Sequence, residues 1–187
     1  MPNKVKYNLK NTHYAKITTD ETGAVAFETP VAIPGSVSIS LEAQGEISPF
    51  YADGIVYYKA ASNNGYEGDL EIALIPESFR VDILGEVLDA KKVLVESEDA
   101  KQSAFALLFE FDGDEKAIRH VLYNCTATRP SIESKTKEGN VEPVTESLTV
   151  SATPLSDGRI KAKTSDETDA DAYIGWYDSV YETVTGA

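Results

Sequence analysis

Residues 103–128 read SAFALLFEFDGDEKAIRHVLYNCTAT, and this stretch narrows the possible folds more than any other. Phe105, Leu107, Phe109 and Phe111 recur at period two, DGDE is turn chemistry, and the run from Ile118 is rich in Val, Leu, Tyr and Thr. Successive side chains leave a pleated backbone on opposite faces, so apolar residues at period two mark a strand. Two such runs joined by a short turn make a β-hairpin.

The hairpin holds the only cysteine, Cys125, and one of the two histidines, His120. A thiol beside an imidazole is the usual form of an activated cysteine, because the ring takes the thiol proton. Five residues apart on a strand, the two face opposite ways unless a bulge intervenes. The faces then read Ile118, His120, Leu122, Asn124 and Val121, Tyr123, Cys125, Ala127. Cys125 falls in the more apolar set and reads as a small buried hydrophobe. The other histidine, His13, could supply a base only from elsewhere in the fold, and nothing in the sequence argues that it does.

A chain of 187 residues with 42% hydrophobic content can bury one good-sized core. Its 31 acidic and 17 basic residues leave a formal charge of −14, which argues against a protein that grips nucleic-acid phosphates. One cysteine excludes an internal disulfide framework and suits a reducing compartment. The terminus MPNKVKYNLKNTHY lacks the apolar centre of a signal peptide. No apolar run approaches the ~18 residues of a membrane span, so the expectation is a soluble chain made in the cytosol, with no membrane partner.

Most of the remaining sequence also reads as strands. SVSISLE places Val37, Ile39 and Leu41 on one face and Ser36, Ser38 and Ser40 on the other. GIVYYKA, GDLEIALI, KVLVE, TESLTVSAT and GRIKAKT follow, separated by Gly, Pro, Asn and Asp, for about eight to ten strands in all. That density belongs to a sandwich or barrel. One helix is expected within IPESFRVDILGEV, at about 76–85, with Pro76 at its start, Glu77 at the positive end of the dipole and Gly85 as a stop. Phe79 and Ile83 share its packed face. A second helix is expected through WYDSVYETV. Arg129–Pro143 is polar and bounded by prolines, the profile of a long loop or arm, and Thr164–Ala172 is acidic.

Candidate chemistry is sparse. DGDE lacks the spacing of a calcium loop and is better read as a turn. Asp166, Glu167, Asp169 and Asp171 form a solvated charge run. With 31 acids, carboxylate pairs of the glycosidase kind are inevitable and uninformative. G-x-S-x-G, Walker and H-E-x-x-H motifs are absent from the sequence, and two histidines with one cysteine make a poor zinc set. The expectation is no catalytic residue, no cofactor and no metal. Phe50, Tyr51, Tyr57, Tyr58 and Tyr66 could stack sugars or bases, but aromatics on strands more commonly serve core or subunit contacts.

LKNTHYA, IPGSVSISLE, FYADGIVYY, NGYEGDLEIALIPESFRVDILG, FALLFEFDGDEKAIRHVLYNCTATRPS and TKEGNVEPVTESLTVSATPL follow one another in an order that resembles the major tail proteins of bacteriophages with long, non-contractile tails. The likeness runs from about Leu9 to about Thr164, and YIGWYDSVYETV also looks like that family's ending. The resemblance implies one tail-tube domain over 1–187, a β-sandwich or barrel with a flanking helix, and a C-terminal extension from about 165. It implies six subunits per ring, rings stacked into a tube, and strands of all six joined in one barrel around duplex DNA. DNA would pass without specific binding, and the tape measure, distal tail and tail terminator proteins would be further partners. Arg129–Pro143 is the natural segment to reach between rings. The protein would reside in the virion tail after synthesis in the host cytoplasm, and the charge of −14 leads us to expect an acidic lumen. A tube of a phage-derived bacteriocin and a carbohydrate-binding β-sandwich are the alternative readings.

Overall fold

The computed structural model describes residues 3–19, 24–136 and 143–183. Among the described residues there are thirteen strands: β1 (Lys6–Thr19), β2 (Val25–Phe27), β3 (Val31–Ala32), β4 (Ser36–Gln44), β5 (Ile47–Ala52), β6 (Ile55–Ala61), β7 (Gly65–Ile72), β8 (Val87–Leu88), β9 (Leu94–Val95), β10 (Phe105–Gly113), β11 (Ile118–Ala127), β12 (Glu146–Ala152) and β13 (Lys161–Lys163). Helix α1 spans Glu77–Asp82 and α2 spans Ala170–Ile174, with a 3-10 turn at Gly175–Tyr177. The chain is mainly β, as expected, and its helix α1 lies where 76–85 was read.

The main sheet is antiparallel, in the order β2-β1-β10-β11-β12-β7-β4, with β3 added to β1 and β13 to β11. One irregularity shapes it. Leu107 pairs with Leu122 but Phe105 pairs with Cys125, so β11 carries an extra residue between these rungs. Beyond that bulge β11 also changes partner, from β13 at residues 120–122 to β12 at 125–127. A bulge bends its strand and sharpens the local twist, which lets β12, β7 and β4 fold back over the β10–β11 hairpin as a second layer.

Between the layers lies the larger core. Leu70 and Ile72 of β7 and Leu148, Val150 and Ala152 of β12 pack with Phe105, Leu107, Phe109, Leu122 and Cys125. Helix α1 and its C-cap residue add Phe79 and Ile83 to this core, and Phe79 meets Tyr14 and Phe105 edge-on at 5.2 and 5.4 Å. Each such fully buried side chain contributes about 1.5–3 kcal/mol of hydrophobic free energy. Gly85, at φ +79°, ends the turn after α1 in a conformation that other residues reach only with strain. The Tyr14 hydroxyl donates to Asp82 Oδ2 at 2.6 Å and ties β1 to the helix.

A second core covers the opposite face of the same hairpin. Ala15, Ala106, Leu108, Val121 and Tyr123 lie under Leu155, Trp176 and Val180 from the carboxyl-terminal part of the chain. The helix expected in WYDSVYETV lies earlier than read: α2 ends at Ile174, and only Trp176 and Tyr177 of that segment are in the 3-10 turn. The reason is capping followed by packing. Asp169 accepts from the backbone N–H of Asp171 and Ala172, which starts the helix upstream. Trp176 and Val180 then bury their side chains, and Tyr181 offers its carbonyl to the Tyr123 hydroxyl at 2.8 Å. Glu110, 5% exposed, fastens this segment: it accepts from Arg119 Nε at 3.0 Å, the Tyr177 hydroxyl at 3.2 Å and Asn11 Nδ2 at 2.7 Å.

Strand β1, the longest, was not among the strands read from the sequence. Asn8 and Asn11 adopt left-handed backbone angles, φ 53° and 49°, and the register against β10 slips near each of them. Those slips scramble the period-two signal. A slip between Ser36 and Ser38 also leaves Val37 exposed, although Ile39 and Leu41 pack inward as read. Of the expected arm, residues 129–136 have no regular structure and 137–142 lie outside the described residues.

Candidate functional site

The outer layer presents a face of unusual composition. Directly paired residues share a face, so the register places Ser38, Glu71 and Ser147 in one outward row, then Ser40, Asp69 and Thr149, then Glu42, Glu67 and Ser151. The alternate rows, such as Ile39, Leu70 and Leu148, point into the core. All nine outward positions are Ser, Thr, Asp or Glu, and none is Lys or Arg. Hydroxyls on the flanking strands hold the central acids: Ser38 donates to Glu71 at 2.8 Å, Thr149 to Asp69 at 2.9 Å, and Thr145 to Glu71. The hydroxyls of Thr145 and Ser38 lower the Glu71 carboxyl below its ordinary range, so it is fully ionised at neutral pH. Glu42 and Glu67 stand directly opposite each other, an arrangement that costs stability in a sheet. Such a local conflict is expected where a surface is shaped for function.

Strands β4 and β7 do not stop at the edge of the sandwich. Backbone bonds from Asn64 N–H to Gln44 O at 2.8 Å and from Ser62 N–H to Glu46 O at 2.9 Å carry their ladder on into β5 and β6. Residues 36–72 thus form one long ribbon whose outer part is paired only with itself. Its tip turns on Asp53 and Gly54, both at positive φ, the geometry of a two-residue type I′ hairpin. Ile47, Phe50, Tyr51, Ile55, Val56, Tyr57 and Tyr58 are all exposed there, Tyr57 by 71%. Phe50, Tyr51, Tyr57 and Tyr58 are thus outside the core, which leaves ligand stacking or subunit contact for them, whereas Tyr66 packs against the core. An isolated two-stranded hairpin is marginal in water, and a contiguous apolar surface marks an interaction site. Among the described residues β5 and β6 each also keep an unpaired edge.

The pair singled out by composition is arranged differently from the sequence reading. The bulge in β11 puts His120 and Cys125 on the same face, together with Leu122, where simple alternation had them facing apart. They still make no reactive couple. Cys125 is fully buried, its thiol contacts the Leu122 carbonyl, and burial pushes it up to about 12. The His120 ring stacks on Phe109 at 5.1 Å and meets Phe111 edge-on at 5.3 Å. Burial, then the nearby charges of Lys163, Lys6 and Lys161, lowers it to about 4, so it is neutral at physiological pH. His13 packs against Tyr177, the rings tilted by 33° with centroids 4.7 Å apart. Asp112 and Gly113 of DGDE still pair with β1, and the turn that follows them is held by Asn3 Oδ1, which accepts from the backbone N–H of Glu115 and Lys116 at 2.9 and 3.0 Å. Among the described residues no group of three or more His, Cys, Asp or Glu is placed to hold a metal, and no helix is long and apolar enough to cross a membrane.

A family model described as phage tail tube protein matches residues 3–180. No curated protein matches the chain.

Proposed function

This chain belongs to the phage tail tube protein family, a structural component of the virion tail, and from that premise we propose how its surfaces build a tube. Six copies close into a ring, rings stack, and the ribbon of each copy pairs its open edges with those of its neighbours to complete one continuous barrel. Cyclic closure satisfies every edge and stops sideways growth. The rows containing Glu42, Glu67, Asp69 and Glu71 line the channel, through which DNA passes during ejection. The whole chain acts as one tail-tube domain, with residues from about 165 as an extension folded onto it. Residues 129–143 reach toward the next ring, and the tape measure, distal tail and tail terminator proteins meet the tube along its bore and at its ends. The chain is made in the host cytoplasm before it joins the virion.

The single observation that carries this reading is the acidic, lysine-free sheet face continuous with a ribbon that has open edges. Duplex DNA presents one negative charge per ~1.7 Å, and a basic wall would hold it at many phosphates. A wall of carboxylates repels it over a Debye length of about 8 Å, which keeps the duplex centred and free to slide. Electron microscopy of the concentrated protein should show six-fold rings or tubes. Phage carrying Glu67→Lys, Asp69→Lys and Glu71→Lys together should assemble tails and eject DNA more slowly. A net positive wall in the reconstructed tube, or normal ejection through the reversed wall, would sink the channel assignment.

A further inference from the structure

We propose that the cleft at the mouth of the sandwich is the seat for the ribbon tip of an adjoining copy of this chain. The inference rests on the tube reading and gives the ribbon a specific receptor. The cleft, of about 370 Å³, lies between β4 and the β10–β11 hairpin. Ile39, Leu41, Phe109 and Phe111 wall it, and Lys6 and Lys161 stand at its rim with no carboxylate in the lining. Each ammonium already sits over a ring, Lys6 over Phe111 at 4.9 Å and Lys161 over Tyr66 at 4.2 Å. The cleft therefore suits aromatic side chains accompanied by a negative charge.

The ribbon tip has that chemistry. Phe50 and Tyr58 pair on one of its faces, and Asp53 at the turn is the only acid between residues 47 and 61. A copy cannot seat its own tip. β4 forms one wall of the cleft and runs directly into the ribbon through an unbroken ladder, so folding the tip back would break the bonds at Gln44 and Glu46. Only another copy can bring a tip to the mouth, and the exposed apolar surface of the ribbon supplies the driving force.

Two exposed positions make the test clean, and Cys125→Ser removes the native thiol. Copies carrying Asp53→Cys are mixed with copies carrying Lys161→Cys, assembled and oxidised. A covalent dimer should appear only when both variants are present and only where tubes form. Asp53→Lys should lower the yield of tubes at least tenfold, and Lys6→Asp with Lys161→Asp in the same chain should restore most of it. Wild-type tubes without the dimer or the rescue would overturn the seat and leave the tube reading standing. Failure of the wild-type protein to form rings or tubes at any concentration would overturn both. Protection of the Lys161→Cys thiol in tubes, without linkage to Asp53→Cys, would put another segment in the cleft and defeat the proposal. So would a link formed within a monomer carrying both cysteines.

Discussion

Two hairpins of this chain, β10–β11 and β5–β6, are both built from aromatic and β-branched residues, yet they lie at opposite extremes of burial. The first six residues of β10 are all buried, whereas every residue of β6 is exposed. The difference is in what covers them. The sandwich layer and α1 cover one face of β10–β11, and Trp176 and Val180 cover the other. Among the described residues the outer ribbon has no second layer. Apolar strand composition therefore states a need for cover, which the rest of the chain meets for β10–β11.

The comparison can be broken most forcefully at Phe105. Phe105→Ala, in the middle of the large core, should cost about 3–5 kcal/mol, read from the urea midpoint of the unassembled protein. A loss below 1 kcal/mol would mean that this hairpin is no better covered than the ribbon. His120 offers a second test through pH. Its folded value near 4 lies below the unfolded value near 6.5, so the unfolded chain takes up the proton first as pH falls. Stability is then complete above pH 6.5 and drains between 6.5 and 4, by about 2–3 kcal/mol from this group. His120→Gln should flatten that part of the pH profile relative to the wild type, and parallel profiles would show that the ring is open to water.

Cys125→Ser sharpens the contrast at smaller scale. A hydroxyl in place of the buried thiol should cost about 1–2 kcal/mol, while phage complemented with the variant should keep full titre. Loss of titre with normally assembled tails would give Cys125 a chemical role. The smallest effect on the monomer is expected in the ribbon: Phe50→Ser with Tyr58→Ser should change its stability by no more than about 0.5 kcal/mol. The same double change should abolish tube formation in electron micrographs. A large loss of monomer stability would show that the ribbon is already covered within one chain.

Several elements were legible because their signal is local. Phe79 and Ile83 sit one helical turn apart with Pro76 before them and Gly85 after, and α1 forms there. Alternating apolar residues in SLTVSA and in FALLFEF mark β12 and β10. GDLEIALI, where Asp69 and Glu71 alternate with Leu70 and Ile72, reads as a strand and forms most of β7. The positions that misled are those where the backbone breaks its own period: Asn8 and Asn11 in β1, the rung at Ser36–Ser38, and the extra residue between Leu122 and Cys125. One added residue reverses the side on which all later side chains project, and nothing in residue type marks it.

Composition and period by themselves determined the class of protein: antiparallel strands, a short helix at α1, a strongly acidic charge and a single cysteine. Only the tertiary structure decided which apolar strands the chain covers itself. It also gathered Glu42, Glu67, Asp69 and Glu71 onto one face by setting the registers of β4, β7 and β12. Register and cover are long-range properties, fixed by the bend at the β11 bulge and by the packing of Trp176 far along the chain. A window of sequence reports the side chains that need burial; the partner that buries them lies outside the window.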